Sequence, residues 1–331
     1  MKVGIISFAH MHAQSYAKHL LNLNHPDVSL SAIWDEDQQR GEAMATQYQS
    51  DYYQDLDAFL QTDIEAVVIC SENANHKLHV TKAARAKKHI LCEKPIATEI
   101  DDAKEMIAVC REEDVTLQVA YPVRFSPVIK RVKEIVTSGQ IGDVVAINGT
   151  NHGQMPGGWF VDKSLSGGGA ATDHIVHIMD LVRWLLNDEV KSVYAELDTR
   201  FYDIEVEDCG IVSLELESGV IVTIDPSWSR PKTFPTWGDV TVEITGTKGN
   251  LSVDALKQHS LYYNDADQQV QQLPWGSDID GKLIDDFIDC VKSGRDPSIS
   301  GEDGLRTLEV VKAAYRSAHQ KQSLLLERVE I

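Results

Sequence analysis

The N-terminal third of the chain alternates short apolar runs with segments of helical pattern, and this alternation restricts the fold more than any other feature. The apolar runs are nearly continuous in Val, Ile, Leu and Ala, as in strands buried on both faces. Strands separated by helices in this way form a parallel sheet covered on both sides. We therefore predict a doubly wound α/β (Rossmann) domain over residues 1–121. The predicted strands are residues 3–6, 30–34, 66–70, 89–92 and 116–120, and the helices between them are residues 13–23, 38–49, 76–86 and 101–112.

Beyond Tyr121 the apolar residues recur at every second position. Val212, Leu214 and Leu216 alternate with polar neighbours, and Glu217-Ser218-Gly219 supplies a hairpin turn. A period of two with tight turns is typical of an antiparallel sheet with one buried face. We therefore predict an α+β domain over residues 122–331 with an open, mainly antiparallel sheet. Its predicted strands include residues 144–148, 212–216, 220–224 and 240–244, and its predicted helices include residues 127–137, 279–292 and 302–320.

Acidic residues outnumber basic ones by 51 to 31, which gives a formal net charge of −20. Nucleic acids and anionic membrane surfaces require a basic partner, so neither is expected to bind. The five cysteines are widely spaced and include no Cys-x-x-Cys pair, as expected of free thiols in a reducing cytoplasm. We see no signal peptide and no apolar stretch approaching ~18 residues. We therefore expect a cytoplasmic protein without a membrane span.

The turn after the first strand is where a dinucleotide-binding domain usually carries Gly-x-Gly-x-x-Gly/Ala, whose glycines let backbone amides approach a pyrophosphate. Here Ser7, Ala9 and His12 stand at the three glycine positions. We predict a turn of relaxed geometry that still binds the cofactor, with donors added by His10 and His12 if they are protonated. The alternative is a doubly wound domain that has lost its nucleotide. The cofactor-binding candidates in this turn are Ser7, Phe8, Ala9, His10 and Met11.

Asp35 ends the second predicted strand, where a carboxylate would accept the ribose hydroxyls of NAD. Glu36 follows it, and we expect no Arg or Lys beside the pair to neutralise the 2′-phosphate of NADP. This arrangement predicts a preference for NAD(H) over NADP(H). The alternative is that the acidic run only begins a helix.

Two motifs carry the chemistry. Cys92-Glu93-Lys94-Pro95 follows a predicted strand, and a glycine run at residues 167–169 leads into a helix that places Asp173 and His177 four residues apart on one face. The motifs, in this order after a strand-first N-terminus, resemble the glucose–fructose oxidoreductase / inositol dehydrogenase / MocA family over nearly the whole chain. The resemblance implies that Lys94 polarises the substrate oxygen, that His177 is the acid/base and that Asp173 orients it.

The resemblance also implies roles for residues outside these motifs. Ser71, Asn73 and His76 match a family segment that lines the cofactor, although Glu72 replaces its usual proline. Arg124 matches an arginine near the cofactor amide or the substrate. Glu93 joins the cofactor-binding set with Lys94. Family members pair through the open face of the C-terminal sheet, which implies a homodimer or a homotetramer. The substrate-binding candidates are Lys94, Trp159, Asp162, Asp173, His174 and His177.

Metal binding competes with this interpretation, because His10-x-His12 and Asp173-His174-x-x-His177 have ligand-like spacings. Hydride transfer explains the glycine run and Lys94 better, so no metal is predicted. We expect an NAD-dependent oxidoreductase that acts on a small sugar, polyol, cyclitol or derivative. Two alternatives stay open: an enzyme that uses NAD transiently in the elimination or hydrolysis of a glycoside, and a sugar-sensing regulatory protein without turnover.

Overall fold

The computed structural model describes residues 1–22, 27–266, 268–274 and 276–331, and its N-terminal part is an alternation of strands and helices. These elements are β1 (Lys2–Ile6), α1 (His12–Asn22), β2 (Ser29–Trp34), α2 (Gln38–Tyr48), β3 (Asp51–Tyr53), α3 (Leu56–Leu60), β4 (Ala66–Ile69), α4 (His76–Arg85), β5 (His89–Cys92), α5 (Ile100–Glu112) and β6 (Leu117–Val119). The six strands form one parallel sheet in the order β3-β2-β1-β4-β5-β6. The strand order reverses beside β1, and ligands of such sheets bind in the crevice at the carboxyl ends of the strands there.

The predicted doubly wound fold is confirmed, and the bounds of β5 are those predicted. Residue 23, the last of the first predicted helix, lies outside the described residues. The prediction missed β3 and α3, which are only three and five residues long. Elements this short carry too few positions for a periodic pattern to be visible.

The C-terminal part is built on a larger, mixed sheet. Its elements are α6 (Pro127–Thr137), β7 (Val144–Thr150), α7 (Lys163–Ser166), α8 (Ala170–Leu186), β8 (Val190–Asp198), β9 (Cys209–Leu216), β10 (Ile221–Asp225), β11 (Thr241–Gly246), β12 (Asn250–Asp254), β13 (His259–Asn264), β14 (Gln269–Pro274), α9 (Ile279–Ser293), α10 (Gly301–Gln320) and β15 (Leu324–Leu325). Seven strands pair in the order β12-β11-β7-β10-β9-β8-β15, and only β7 and β10 pair in parallel. The expected open, mainly antiparallel sheet is thus confirmed, and β13 and β14 form a separate hairpin.

One face of this sheet packs against α8 and α10, whereas the other face is open. Tyr194, Ile211 and Ile221 point from neighbouring strands to the open face, and Ile221 is 57% exposed. The two C-terminal helices return to the first domain, because α9 packs on α1 and α10 packs on α5. None of the helices in the described ranges combines the length and apolar character that a membrane crossing needs.

Helix α8 is buried on nearly every side, which explains how it can carry ionisable residues into the interior. Its N-terminus is capped by Glu207, whose carboxylate accepts the amides of Gly169 and Ala171 at 2.9 and 3.0 Å. The backbone carbonyl of Glu207 accepts the Ala170 amide as well. These bonds satisfy amides that have no partner within the helix and fix the position at which α8 begins. Glu207 was not predicted, since no sequence pattern links it to a helix so far back along the chain.

Candidate active site

Lys94 lies directly after β5 at the carboxyl edge of the parallel sheet, and a cis peptide bond joins it to Pro95. Its side chain is buried, and its ammonium donates to Oδ1 of Asp173 and to the Asp173 carbonyl oxygen. The two motifs found in the sequence therefore meet in space. A buried ammonium requires such a partner because desolvating an unpaired charge is costly.

The Asp173 carboxylate is also bound on its other oxygen. Oδ2 accepts the indole N–H of Trp228 at 3.2 Å and lies 3.1 Å from Nε2 of His174. Burial alone would raise the pKa of Asp173, but Lys94 and His174 outweigh it and hold that pKa well below its ordinary value. The carboxylate of Asp173 is thus charged at neutral pH. Trp228 was not predicted, because an isolated tryptophan in a Ser-Trp-Ser segment carries no signal of a site.

His177 lines a cavity beside Lys94, and its Nδ1 is buried without a hydrogen-bond partner among the described residues. Burial, reinforced by the charge of Lys94, lowers the pKa of His177 well below its usual value, so the imidazole is neutral near pH 7. The expectation that Asp173 orients His177 is wrong. Lys94 and Trp228 donate to the carboxylate, the His174 ring lies beside it, and His177 instead meets the ring edge of Tyr121.

The cavity has an empty volume of about 780 Å³, including its open mouth. Both domains contribute to its wall, and most of the wall is apolar. Asn151, Trp237 and Asp280 lie on it as well, although nothing in the sequence singled them out. The lining residues are His10, Met11, His12, Lys94, Pro122, Val123, Asn151, Pro156, Phe160, Asp173, His177, Trp237, Val240, Leu256, Ile279 and Asp280.

Three predicted substrate residues are not on this wall. Trp159 stacks on Phe160, and its indole N–H donates to the Ala9 carbonyl oxygen at 3.1 Å. Asp162 is exposed and caps α7 by accepting the Ser164 amide. His174 is fully buried and donates from Nδ1 to the Pro226 carbonyl oxygen at 2.8 Å. The structure therefore corrects these assignments: Trp159 covers the nucleotide turn, Asp162 is a helix cap, and His174 supports Asp173.

Most backbone amides in the turn from Ser7 to Ala13 already donate a hydrogen bond to another group of the protein. Ser7 has a φ of 69°, the left-handed conformation that glycine usually adopts at this position. Its hydroxyl accepts the Ala9 amide at 3.1 Å, and Nδ1 of His10 accepts the His12 amide at 3.2 Å. Among the described residues, Met11 alone of these seven has an amide without an acceptor, because the amides of Ser7, Phe8, Ala9, His10, His12 and Ala13 are all donated.

Asp35 lies at the end of β2 as predicted, but its carboxylate is already occupied. It accepts the amides of Phe8 and Asp37, and Arg40 of α2 donates to both of its oxygens. Arg40 also contacts Glu36. The expectation that no basic residue adjoins this acidic pair is therefore wrong, because the first turn of α2 folds Arg40 back onto it.

Ser71, Asn73 and His76 are buried at the crevice edge and bond mainly to the chain itself. His76 contacts the carbonyl oxygens of Pro95 and Ser71, and the Asn73 amide donates to the Ser166 carbonyl oxygen at 2.8 Å. The side-chain oxygen of Asn73 is buried without a partner among the described residues.

Arg124 does not line the cavity. Its guanidinium donates to both oxygens of Asp180 at 2.6 and 2.7 Å and to the Ser298 carbonyl oxygen at 3.1 Å. Asp303 lies 3.5 Å away. The structure places Arg124 in a buried ion pair that holds α8 against the start of α10, so its predicted contact with cofactor or substrate is corrected.

Glu93, between β5 and Lys94, is fully buried and meets the nucleotide turn. Its Oε1 accepts the Tyr16 hydroxyl at 2.6 Å and lies 3.0 Å from Nδ1 of His12. Nδ1 of His10 is 3.9 Å from the same oxygen. The chain thus brings a third polar group to the pair of histidines noted in the sequence.

Comparison with known proteins agrees with this architecture. The family model described as "Oxidoreductase family, NAD-binding Rossmann fold" matches residues 1–121, and the model described as "GFO/IDH/MocA C-terminal domain" matches residues 129–252. The uncharacterized oxidoreductase YrbE of Bacillus subtilis is 29% identical over 94% of each chain. Myo-inositol 2-dehydrogenase of Thermotoga maritima is 29% identical over 99% of each chain. The crystal structure of GenD2 from gentamicin A biosynthesis in complex with NAD superposes with a TM-score of 0.89 at 25% identity, covering 99% of this chain and 97% of that chain.

Proposed function

This chain belongs to the GFO/IDH/MocA family of oxidoreductases, whose members act on sugars and cyclitols, and we propose that it interconverts a hydroxyl and a carbonyl group of such a substrate with NAD(H). One observation carries the proposal. Lys94 and His177 line one cavity, where the ammonium of Lys94 is paired with Asp173 and the imidazole of His177 is neutral near pH 7. These are the donor and the base that proton transfer at a carbinol oxygen requires.

Each residue then has a distinct role. Lys94 donates a hydrogen bond to the substrate oxygen, and Asp173 holds the ammonium in place. His177 takes the hydroxyl proton during oxidation and returns it during reduction. The apolar wall of the cavity excludes water from these groups, which strengthens their interaction with the substrate.

We assign the two ends of the crevice to a dinucleotide, with Asp35 and Lys94 at its two riboses. Because Asp35 already accepts bonds from Phe8, Asp37 and Arg40, a ribose hydroxyl would have to displace one of these donors. When bound, NAD(H) supplies the acceptor or donor of the hydride. The turn between these ends offers the amide of Met11, while its other amides are held by the protein. We therefore expect the cofactor to bind weakly unless Ser7 and His10 release the amides of Ala9 and His12.

A preference for NAD(H) over NADP(H) is part of the proposal. Asp35 and Glu36 together carry two negative charges against one on Arg40, so a 2′-phosphate would still meet a net negative site. We expect NADH to bind more tightly than NADPH and Asp35→Ala to narrow the difference. Titration of nicotinamide fluorescence measures both affinities, and tighter binding of NADPH by the parent protein would refute the preference.

The central test is an assay with NAD⁺ and a panel of sugars, polyols and cyclitols, followed by NADH absorbance. With the substrate so identified, Lys94→Ala and His177→Ala should each lower kcat by roughly two to four decades. NADH affinity should persist in His177→Ala, because the imidazole acts on the substrate. His319→Gln, at the exposed end of α10, is the control. Full activity of either cavity variant would place the chemistry elsewhere.

A second candidate is a sugar-binding regulatory protein without turnover, and the self-bonded turn favours it. The two candidates differ in nucleotide binding. Calorimetry of the folded protein that detects no NAD(H) binding at any pH would support the regulatory protein and exclude the dehydrogenase.

We also propose a homodimer or homotetramer in the cytoplasm. The apolar side chains on the open sheet face support the oligomer, because a face of this kind is usually covered. All five cysteines are free thiols, which fits a reducing compartment.

A further inference from the structure

The cluster of His10, His12 and Glu93 has the composition and spacing of a metal site. One ring nitrogen of each histidine and one carboxylate oxygen all lie within 4.8 Å of one another. In a tetrahedral zinc site with bonds of ~2.0–2.2 Å, ligand atoms lie about 3.4 Å apart. The distances from the glutamate oxygen to the two histidines, 3.0 and 3.9 Å, bracket that value.

The fold holds these side chains in place. His10 and His12 lie in the turn after β1, and Glu93 follows β5, so the ligands come from two loops at one edge of the sheet. The Tyr16 hydroxyl donates to Oε1 of Glu93, and the Lys94 amide donates to Oε2 at 3.1 Å. Hydrogen bonds of this kind orient the ligands of metal sites.

A hydrogen-bonded network alone would not require the second histidine. His12 suffices to pair with Glu93, whereas His10 is buried at a distance beyond hydrogen bonding from that carboxylate. Its Nδ1 accepts only the long 3.2 Å bond from the His12 amide, which a metal ion would displace in order to coordinate this nitrogen. The local charge is also favourable, because Lys94 is balanced by Asp173 and leaves the charge of Glu93 for a cation.

We propose that His10, His12 and Glu93 bind one divalent transition-metal ion of the zinc class, with its remaining coordination position open to the cavity lined by Lys94 and His177. Two histidines and a glutamate that leave one position open are the ligand set of several catalytic zinc sites. The open position would take a substrate oxygen and polarise it. This last role rests on the proposed function, whereas binding of the ion does not.

The test is calorimetric titration of chelator-treated, full-length protein with Zn²⁺ and with Co²⁺, without nucleotide or sugar. We expect one ion per chain, and the visible spectrum of bound Co²⁺ should report nitrogen and oxygen ligands in a site of low coordination number. His10→Ala and His12→Ala should each weaken binding at least tenfold, and His319→Gln should leave it unchanged. Because burial could make Glu93→Gln unstable, the half-exposed His12 provides the variant that is expected to fold.

Absence of binding to the parent protein would overturn the proposal, as would a stoichiometric site that survives His12→Ala. The result is separable from the proposed function. Metal binding without any NAD(H) binding would leave the site standing and exclude the dehydrogenase, whereas NAD⁺-dependent turnover insensitive to chelation and to His12→Ala would retain the dehydrogenase and remove the ion from its chemistry.

Discussion

At the scale of single residues, Ser7 combines a strained backbone with a competing side chain. Its φ of 69° costs a non-glycine residue roughly 1–2 kcal/mol, and its hydroxyl occupies the Ala9 amide. Ser7→Gly removes both obstacles, so it should bind NADH more tightly than the parent by calorimetry. Ser7→Ala frees the Ala9 amide but keeps the backbone strain. We therefore expect its affinity for NADH to lie between those of the parent protein and Ser7→Gly. Weaker binding by both variants would show that the hydroxyl assists the cofactor.

His152 provides a prediction of pH dependence. Burial would lower the pKa of His152, but hydrogen bonds to Asp225 and Asp239 outweigh it and raise that pKa from 6.5 to about 9. Because the folded state binds this proton more tightly than the unfolded state, its contribution to stability is complete below pH 6.5 and is lost as the pH rises through about 9. The free energy of unfolding, measured with urea, should therefore decline as the pH rises across this interval. His152→Asn should make this decline smaller. If stability declines equally with pH in His152→Asn and in the control His319→Asn, groups other than His152 cause the decline.

The residues that the sequence revealed and those that it missed differ in a physical way. Lys94, Asp173 and His177 stand in motifs whose chemistry can be recognised locally. Contacts that depend on the path of the chain, such as Trp228 on Asp173, leave no local pattern. The sequence therefore identified Asp173 as a site residue, but only the structure shows that it pairs with Lys94 rather than with His177.

At the scale of secondary-structure elements, α8 depends on the glycines before it. A Cβ on Gly169 would lie 2.0 Å from the carbonyl oxygen of Glu207, the residue that caps the helix. Gly169→Ala should therefore cost about 1–3 kcal/mol and lower kcat, because the start of α8 and Asp173 must shift. Gly249→Ala is the matched control, since its Cβ would meet Ile141 at an ordinary 3.5 Å. Thermal unfolding and kinetics measure both effects, and equal behaviour of the two variants would contradict the prediction.

Prediction of elements succeeded where a pattern persists over several residues. The bounds of β5 and α6 are those predicted, because one is a buried apolar run and the other begins at a proline and repeats apolar residues with helical spacing. The prediction missed β8, whose alternation between Val190 and Asp198 was visible but lacked a hairpin turn to mark its partner. Strand pairing over long separations is set by packing of the whole sheet rather than by local sequence.

At the scale of the whole molecule, we expect the open face of the C-terminal sheet to determine assembly. Ile211 and Ile221 expose about half of their surface there, and burying them would favour association. We expect light scattering to show a dimer or tetramer rather than a 36.8 kDa monomer at micromolar concentration. Ile221→Glu should shift the distribution toward monomer, whereas Leu78→Glu, equally exposed on α4, should not. A monomeric parent protein would refute the proposal.

Helix α8 also limits how proteins of this fold can evolve new substrate preferences. Asp173 and His177 are one helical turn apart on a single buried rod, about 6 Å along its axis, so neither can move without the other. The rest of the cavity wall includes Asn151 and Trp237, which lie in loops, and Asp280 in the first turn of α9. New substrate preferences should therefore arise by replacement at such positions outside α8, while the spacing of Asp173 and His177 is inherited intact.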